Sequence, residues 1–201
     1  MRQVIAGVYE WSWFSSEKQL DFNGHLVSSG IDREWVMIDP PPLAADEHAE
    51  IERVGRVTAI ILTNRDHERE ATKYREAFQA PVYAHVADAA LMELKADRTF
   101  AAGDRLPGNL TVVHVPNAKS PGESALWWPS GGALIVGDAV IGKPAGALKM
   151  LPDEKFADAK KAKEGLGVLL DPRYEYDAVL VGDGGSIPVG GREALIRFLS
   201  T

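Results

Sequence analysis

The stretch AIILTNRDHEREA (residues 59–71) begins as an apolar, β-branched run and ends in a burst of charge within a single turn. Ala59 to Leu62 read as a buried strand closed by Thr63. Asn64, Arg65, Asp66, His67, Glu68 and Arg69 then follow, and the helical pattern EREATKYREAFQA (68–80) overlaps their end. Burying unpaired charges at the end of a core strand would be costly, so this polar turn marks an edge where strand ends open into a site.

Three other strands finish on a carboxylate in the same way: VMIDP at Asp39, LIVGD at Asp138 and VLVGD at Asp183. Further β-rich runs occur at QVIAGVY, GHLVSS, PVYAHV, LTVVHVP and SALWWPS, each closed by Gly, Pro, Asp or Asn or by a polar residue. Helical spacing appears in AADEHAEIERVG, in EREATKYREAFQA, in DAALMELKA, in PDEKFADAKKAKEGLGVLL and in the terminal GREALIRFL. Strands and helices are intermixed without strict βαβ alternation, which favours an α+β sandwich of two sheets with helices outside over one doubly wound sheet. The Pro-rich IDPPPLAADEH is too short to divide domains, so residues 1–201 read as a single domain.

Composition narrows the function classes. A net charge of -7 would repel a phosphate backbone from most of the surface and argues against nucleic acid as a partner. The chain has no cysteine, which excludes disulfides, thiolate nucleophiles and Cys-ligated metal, and leaves five histidines as the soft ligands. No apolar run is long enough to span a bilayer, and MRQVIAGVYEW lacks the apolar segment and small-residue cleavage site of a signal peptide. These features predict a cytoplasmic protein with no membrane partner.

Taken in order, these pieces resemble the metallo-β-lactamase-fold superfamily over nearly the whole chain. NGHLVSSGIDREWVMIDP is similar to the family's first strands, and the loop after Thr63 to its metal loop. VHVPNAKSPGESALWWP stands for the second motif, LIVGD for the strand before the bridging aspartate, and VLVGDGG for the closing Gly-His-Gly strand end. The resemblance implies an αββα four-layer sandwich and a site at the strand ends.

It also implies ligand positions, and the residues there depart from the pattern. Where the family carries His-x-His-x-Asp-His and binds two zinc ions, Asn64 and Asp66 replace the first two histidines, Glu68 the aspartate and Arg69 the last histidine. His67 falls between ligand positions, Lys119 stands for the second-motif histidine, Asp138 matches the bridging aspartate and Asp183 replaces the final histidine. Arginine is never deprotonated in proteins and lysine binds metal only after losing a proton, so a two-zinc site is not expected and no cofactor is predicted.

The expectation is instead that cations have taken over from the metals, with Lys119 beside Asp138 and Arg69 paired with Glu68 or Asp183. Three roles stay open: a structural ion-pair network, a ligand-binding or catalytic pocket without metal, and an oxygen-ligated Mg²⁺, Mn²⁺ or Ca²⁺ held by Asp66, Glu68, Asp138 and Asp183. In the last case the chain would be a divergent hydrolase of an ester, lactone or phosphoester. His67 between two acids is either a general base or a packing residue near a helix start. Arg65 and Asn64 complete the polar turn, while Lys143 and Lys149 after Asp138 could meet an anionic substrate.

Trp11, Trp13 and Phe14, in YEWSWFSSEKQLDF, occupy what resembles the hairpin overhanging the family's site. They form either an apolar wall for a ligand, a partner or a second copy of the chain, or one buried strand face.

Overall fold

The structure is a computed structural model that describes the backbone of residues 1–201 and the side chains of all but Ala45 and Asp46. The first sheet runs in the order β1 (Arg2–Ile5), β2 (Val8–Ser15), β3 (Leu20–Ser28), β4 (Glu34–Ile38), β5 (Arg56–Ile61), β6 (Val82–His85) and β7 (Arg98–Phe100). Its first four strands are antiparallel, and β4 to β7 are parallel. The second sheet contains β8 (Arg105–Leu106), β9 (Leu110–His114), β10 (Ser124–Trp128), β11 (Ala133–Val136) and β12 (Ala178–Val181), and only β11 and β12 pair in parallel.

Period-two alternation sorts the side chains into three apolar layers. Ile38, Ala59 and Ile61 of the first sheet face Leu126, Ile135 and Leu180 of the second, forming the core between the sheets. The opposite side of β5, Ile60 and, before a register shift that interrupts the alternation, Val57, packs beneath α1 (Ala45–Val54) and α2 (Ala71–Phe78). Leu134, Val136, Val179 and Val181 pack outward against the segment containing α4 (Ala159–Gly165) and against α5 (Gly191–Leu199). Helices therefore cover both outer faces, and the four-layer αββα sandwich is the observed fold.

Two helical expectations are corrected. DAALMELKA yields only the four-residue α3 (Val86–Ala89) followed by turns. The long pattern from Pro152 to Leu170 splits into a 3₁₀ turn (Asp153–Lys155), α4 and a second 3₁₀ segment (Leu166–Leu170). In α4 the Asp158 carboxylate caps the start by accepting from the Lys161 amide at 3.0 Å, and the helix tightens where Gly165 and Gly167 interrupt it. No helix among the described residues is long and apolar enough to cross a membrane.

Parallel pairing is what builds the site. Because β4 runs parallel to β5 and β11 parallel to β12, all four C-terminal ends meet at one edge, delivering Asp39, Thr63, Asp138 and Asp183 there. β10 runs antiparallel to β11, so its start at Ser124 arrives at the same place, where the Ser124 amide donates to the Thr63 carbonyl at 2.9 Å. Asn23 of β3 ties the sheets together, its backbone N–H donating to the Gly182 carbonyl and its amide to the carbonyls of Val181 and Gly184.

Candidate active-site edge

A 3₁₀ turn, Arg65–His67, follows β5 and decides where the polar burst points. Asn64 caps it, its side-chain oxygen accepting from the Asp66 amide at 2.9 Å. At three residues per turn, consecutive side chains diverge by roughly 120°. Asp66, His67 and Glu68 therefore leave in three directions.

His67 goes inward and is buried. Its Nδ1 lies 2.8 Å from Asp39 Oδ2 and its Nε2 3.4 Å from Asp138 Oδ1. Burial and the Arg69 guanidinium oppose the imidazolium, but Asp39 and Asp138 outweigh them and raise its pKa to about 10. Nδ1–H donates to Asp39, which also accepts from the Thr63 amide at 2.8 Å and from the Thr63 hydroxyl at 2.5 Å. Burial disfavours the Asp39 carboxylate, yet His67, Arg69 and Thr63 hold it below its ordinary range.

Asp66 turns toward solvent, and its carboxylate sits 2.8 Å from Lys119 Nζ. Lys119 lies at the same distance from Asp138 Oδ2, so one ammonium bridges two carboxylates. Arg69 folds back over the turn with φ of 38°, in the left-handed region disfavoured for a residue with a Cβ. One end of its guanidinium donates to the carbonyls of Asn23 and Asp39, at 2.8 and 3.1 Å. The other donates to Asp183 Oδ1 at 2.7 Å and to the Gly182 carbonyl at 3.2 Å, while the group stacks on Phe22 with its carbon 4.8 Å from the ring centroid. Lys119 pairs with Asp138 as expected from the sequence, and of the two partners expected for Arg69, Glu68 and Asp183, it takes Asp183.

Glu68 is a correction. It does not join the carboxylate cluster; its two oxygens accept from the Glu93 and Leu94 amides at 2.9 and 2.7 Å, giving partners to backbone groups in the turns after α3. Arg65 goes with it, lining a neighbouring open cleft, while its own amide donates to Asp88. Asn64 is likewise a buried cap rather than a pocket residue.

Trp11 is a second correction. It is only 2 % exposed and packs in the outer core, its indole N–H donating to the Pro41 carbonyl at 3.3 Å. Gly24 makes room for it, since a Cβ there would lie 2.4 Å from the indole ring. Trp13 and Phe14 are exposed, at 43 % and 54 %, but the apolar wall of the pocket comes from Leu20 and Phe22 on the next strand. Lys143 does lie in the pocket, with Nζ donating to the Gln19 carbonyl at 3.2 Å.

Three members escaped the sequence reading. Asp39 is visible in the sequence as a strand end but not as the partner of His67. Asn23 carried a visible signal, a polar residue inside the apolar run of β3. Glu123 carried none: it immediately precedes β10, fully buried, with one oxygen accepting from the Ala139 amide at 3.1 Å and the other without a partner among the described residues. Burial and the nearby Asp138 carboxylate push its pKa well up, which favours the neutral acid. Burial likewise raises Asp183 above its ordinary value.

Chemically, the edge offers one group of metal-ligand type. One atom each from His67, Asp138 and Asp183 lie within 4.8 Å of one another, all buried. Arg69 is inserted among them, its Nη2 being 3.2 Å from His67 Nε2 and 2.7 Å from Asp183 Oδ1.

The sequence profile described as "Metallo-beta-lactamase superfamily" matches residues 4–201. No curated protein sequence matches the chain significantly. Among solved structures, DIM-1 metallo-beta-lactamase exposed to ceftazidime superposes with a TM-score of 0.79 at 13% identity, covering 99% of this chain and 95% of that one. A metallo-beta-lactamase from Pontibacter korlensis gives 0.78 at 15% identity, over 100% and 98%. TTHA1623 in a di-iron-bound form gives 0.69 at 28% identity, over 92% and 96%.

Proposed function

The chain belongs to the metallo-beta-lactamase superfamily, and we propose that within it the strand-end centre works without metal, as a charge cluster that shapes a pocket for a small ligand. The observation that carries this reading is the position of Arg69 and Lys119 between the carboxylates, at ion-pair distance from Asp183, Asp138 and Asp66.

The donor set does not suit the two metal ions implied by the fold. A zinc ion takes ligands at about 2.0–2.2 Å from nitrogen and carboxylate oxygen. Here the Asp183 oxygen and the His67 nitrogen that face one another both contact a guanidinium that keeps its proton at any working pH. A dication among them would sit a few ångströms from a fixed positive charge. The second position fares no better, since Lys119 occupies the gap between Asp66 and Asp138, and Glu68 faces elsewhere. Arg69 and His67 fix the strand ends, Lys119 holds Asp138, and Leu20, Phe22 and Ile141 supply an apolar wall.

Metal analysis of the purified protein, joined to thermal-shift series with Zn²⁺, Fe²⁺, Mn²⁺, Mg²⁺ and Ca²⁺, tests this directly. A ligand that binds only the folded state must raise apparent stability, by about 2.7 kcal/mol at a hundredfold excess over Kd. The expected result is no stoichiometric metal and no rise in midpoint. A second reading draws on the convergence of His67, Asp138 and Asp183: these three would hold a cation if Arg69 swung away, and such an ion would supply an activated water for an ester, lactone or phosphoester. Stoichiometric metal whose removal lowers the midpoint would favour that reading over ours.

A further inference from the structure

We propose that the pocket beside this centre takes a small organic dianion, its charge held by lysines at the rim and its carbon body by the apolar wall. The inference rests on the metal-free reading above and assigns it a ligand class.

The cavity has a volume of about 610 Å³ and opens at the strand-end edge. Its lining carries six Lys and Arg side chains against three Asp, in a protein whose net charge is -7. The three acids are already engaged, Asp66 and Asp138 by Lys119 and Asp183 by Arg69. The remaining cations are Lys18, Lys143, Lys149 and Lys155, and among the described residues only Lys18 has a carboxylate partner, its exposed neighbour Glu17. Local surplus charge of one sign in a concave site raises the concentration of counter-charged ligands and speeds their capture. Two pairable charges on the ligand would engage two lysines at once.

The rim is built rather than loose. Ile141 and Lys149 exchange backbone hydrogen bonds at 2.8 and 3.1 Å, bringing the segment after Asp138 back on itself with Lys143 and Lys149 on its two arms. The Gly142 amide donates to the Asp183 carbonyl, and the Gly185 amide to the Gly142 carbonyl, both at 2.9 Å, which pins this loop to the end of β12. A Cβ at Gly142 would come within 2.1 Å of the Gly185 carbonyl oxygen, so the contact depends on glycine. Lys143 also reaches the turn between β2 and β3 that carries Lys18. Below the lysines, Leu20, Phe22, Ile141, Leu151 and Pro152 give a hydrophobic floor sized for a ring or short chain.

Isothermal titration of the full chain with phenyl phosphate, isophthalate, phenol and inorganic phosphate tests this, each in the presence and absence of EDTA. We expect phenyl phosphate or isophthalate, or both, to bind at one site, with the stronger of the two revealing the preferred headgroup. Phenol and inorganic phosphate should bind at least tenfold more weakly, and affinity for the dianion should fall several-fold between 50 and 200 mM salt. The triple variant Lys143→Ala, Lys149→Ala, Lys155→Ala alters exposed side chains and should keep its melting temperature while losing at least tenfold in affinity. Phenol binding as tightly as the dianions, equal affinity in the triple variant, or no binding by either dianion would overturn the inference while leaving the metal-free reading intact. Binding that survives the triple variant but vanishes with EDTA would instead overturn both, because the anion would then be a metal ligand.

Discussion

Asp39 shows how a single residue serves both backbone and charge. Its φ of 47° lies in the left-handed region, which Asp and Asn tolerate better than other non-glycine residues. From there its carboxylate accepts from Thr63 and pairs with His67, all inside the protein. Asp39→Asn keeps the shape and the backbone preference, removes the charge and turns one accepting oxygen into a donor facing Thr63 or His67, leaving His67 with Asp138 as its close anionic partner. Breaking a buried pair from one side costs about 3 to 5 kcal/mol because the surviving charge stays desolvated. Urea unfolding at pH 6 should show a loss of that order, and NMR titration should find the His67 ring losing its proton at lower pH than in the parent. Unchanged stability with an unchanged ring titration would mean that the pair contributes nothing.

Elements carry the next level of the design, in how closely strand ends approach. Gly137 lies between β11 and Asp138, where a Cβ would sit 2.2 Å from the Thr63 hydroxyl and 2.7 Å from the Asn64 amide. Gly137→Ala should therefore destabilise by about 1 to 3 kcal/mol, as overpacking of a filled core does, with the clash falling on the side chains that position Asp39 and the 3₁₀ turn. A denaturation midpoint equal to the parent's would show that the two strand ends can separate at no cost. At this level much was legible in sequence. Apolar strands closing on Asp39, Thr63, Asp138 and Asp183 announced the edge, and opposite charges at the ligand positions announced the pair Lys119–Asp138 and left Arg69 a choice between Glu68 and Asp183. What stayed hidden depended on geometry that periodicity does not encode. The 3₁₀ turn sends Glu68 away from its neighbours, and the edge strands β7 and β8, at three and two residues, are too short to show an alternation. Trp11 and Trp13 share a strand face, as alternation requires, but only Trp11 reaches the core. Glu123 was invisible because an acid at a strand start ordinarily faces water.

For the molecule as a whole, the charged edge is a clasp between two sheets that are otherwise joined by their apolar faces, and its titration should shape the stability curve. Asp39 and Asp138 have depressed pKa values in the folded state, so their contribution is present above the unfolded carboxylate value near 3.8 and is lost as pH falls below it. His67 is raised, so its contribution is complete below 6.5 and disappears as pH climbs toward 10. Glu123 and Asp183 are also raised, which favours folding below the unfolded carboxylate range and weakens it as pH rises through their folded values. Together the signs place the optimum close to the unfolded carboxylate values, at roughly pH 4 to 5, with a first decline as Glu123 and Asp183 ionise and a further one above pH 6.5 as His67 loses its proton. Urea midpoints measured from pH 3 to 10 should trace that shape. Glu123→Gln cannot ionise, so its stability relative to the parent should improve as pH rises above the unfolded value of 4.5, whereas a purely structural effect would leave the difference constant. A parent curve that is flat from pH 6 to 10 would contradict the buried imidazolium, and the strand ends would then be held together chiefly by Arg69 and Lys119.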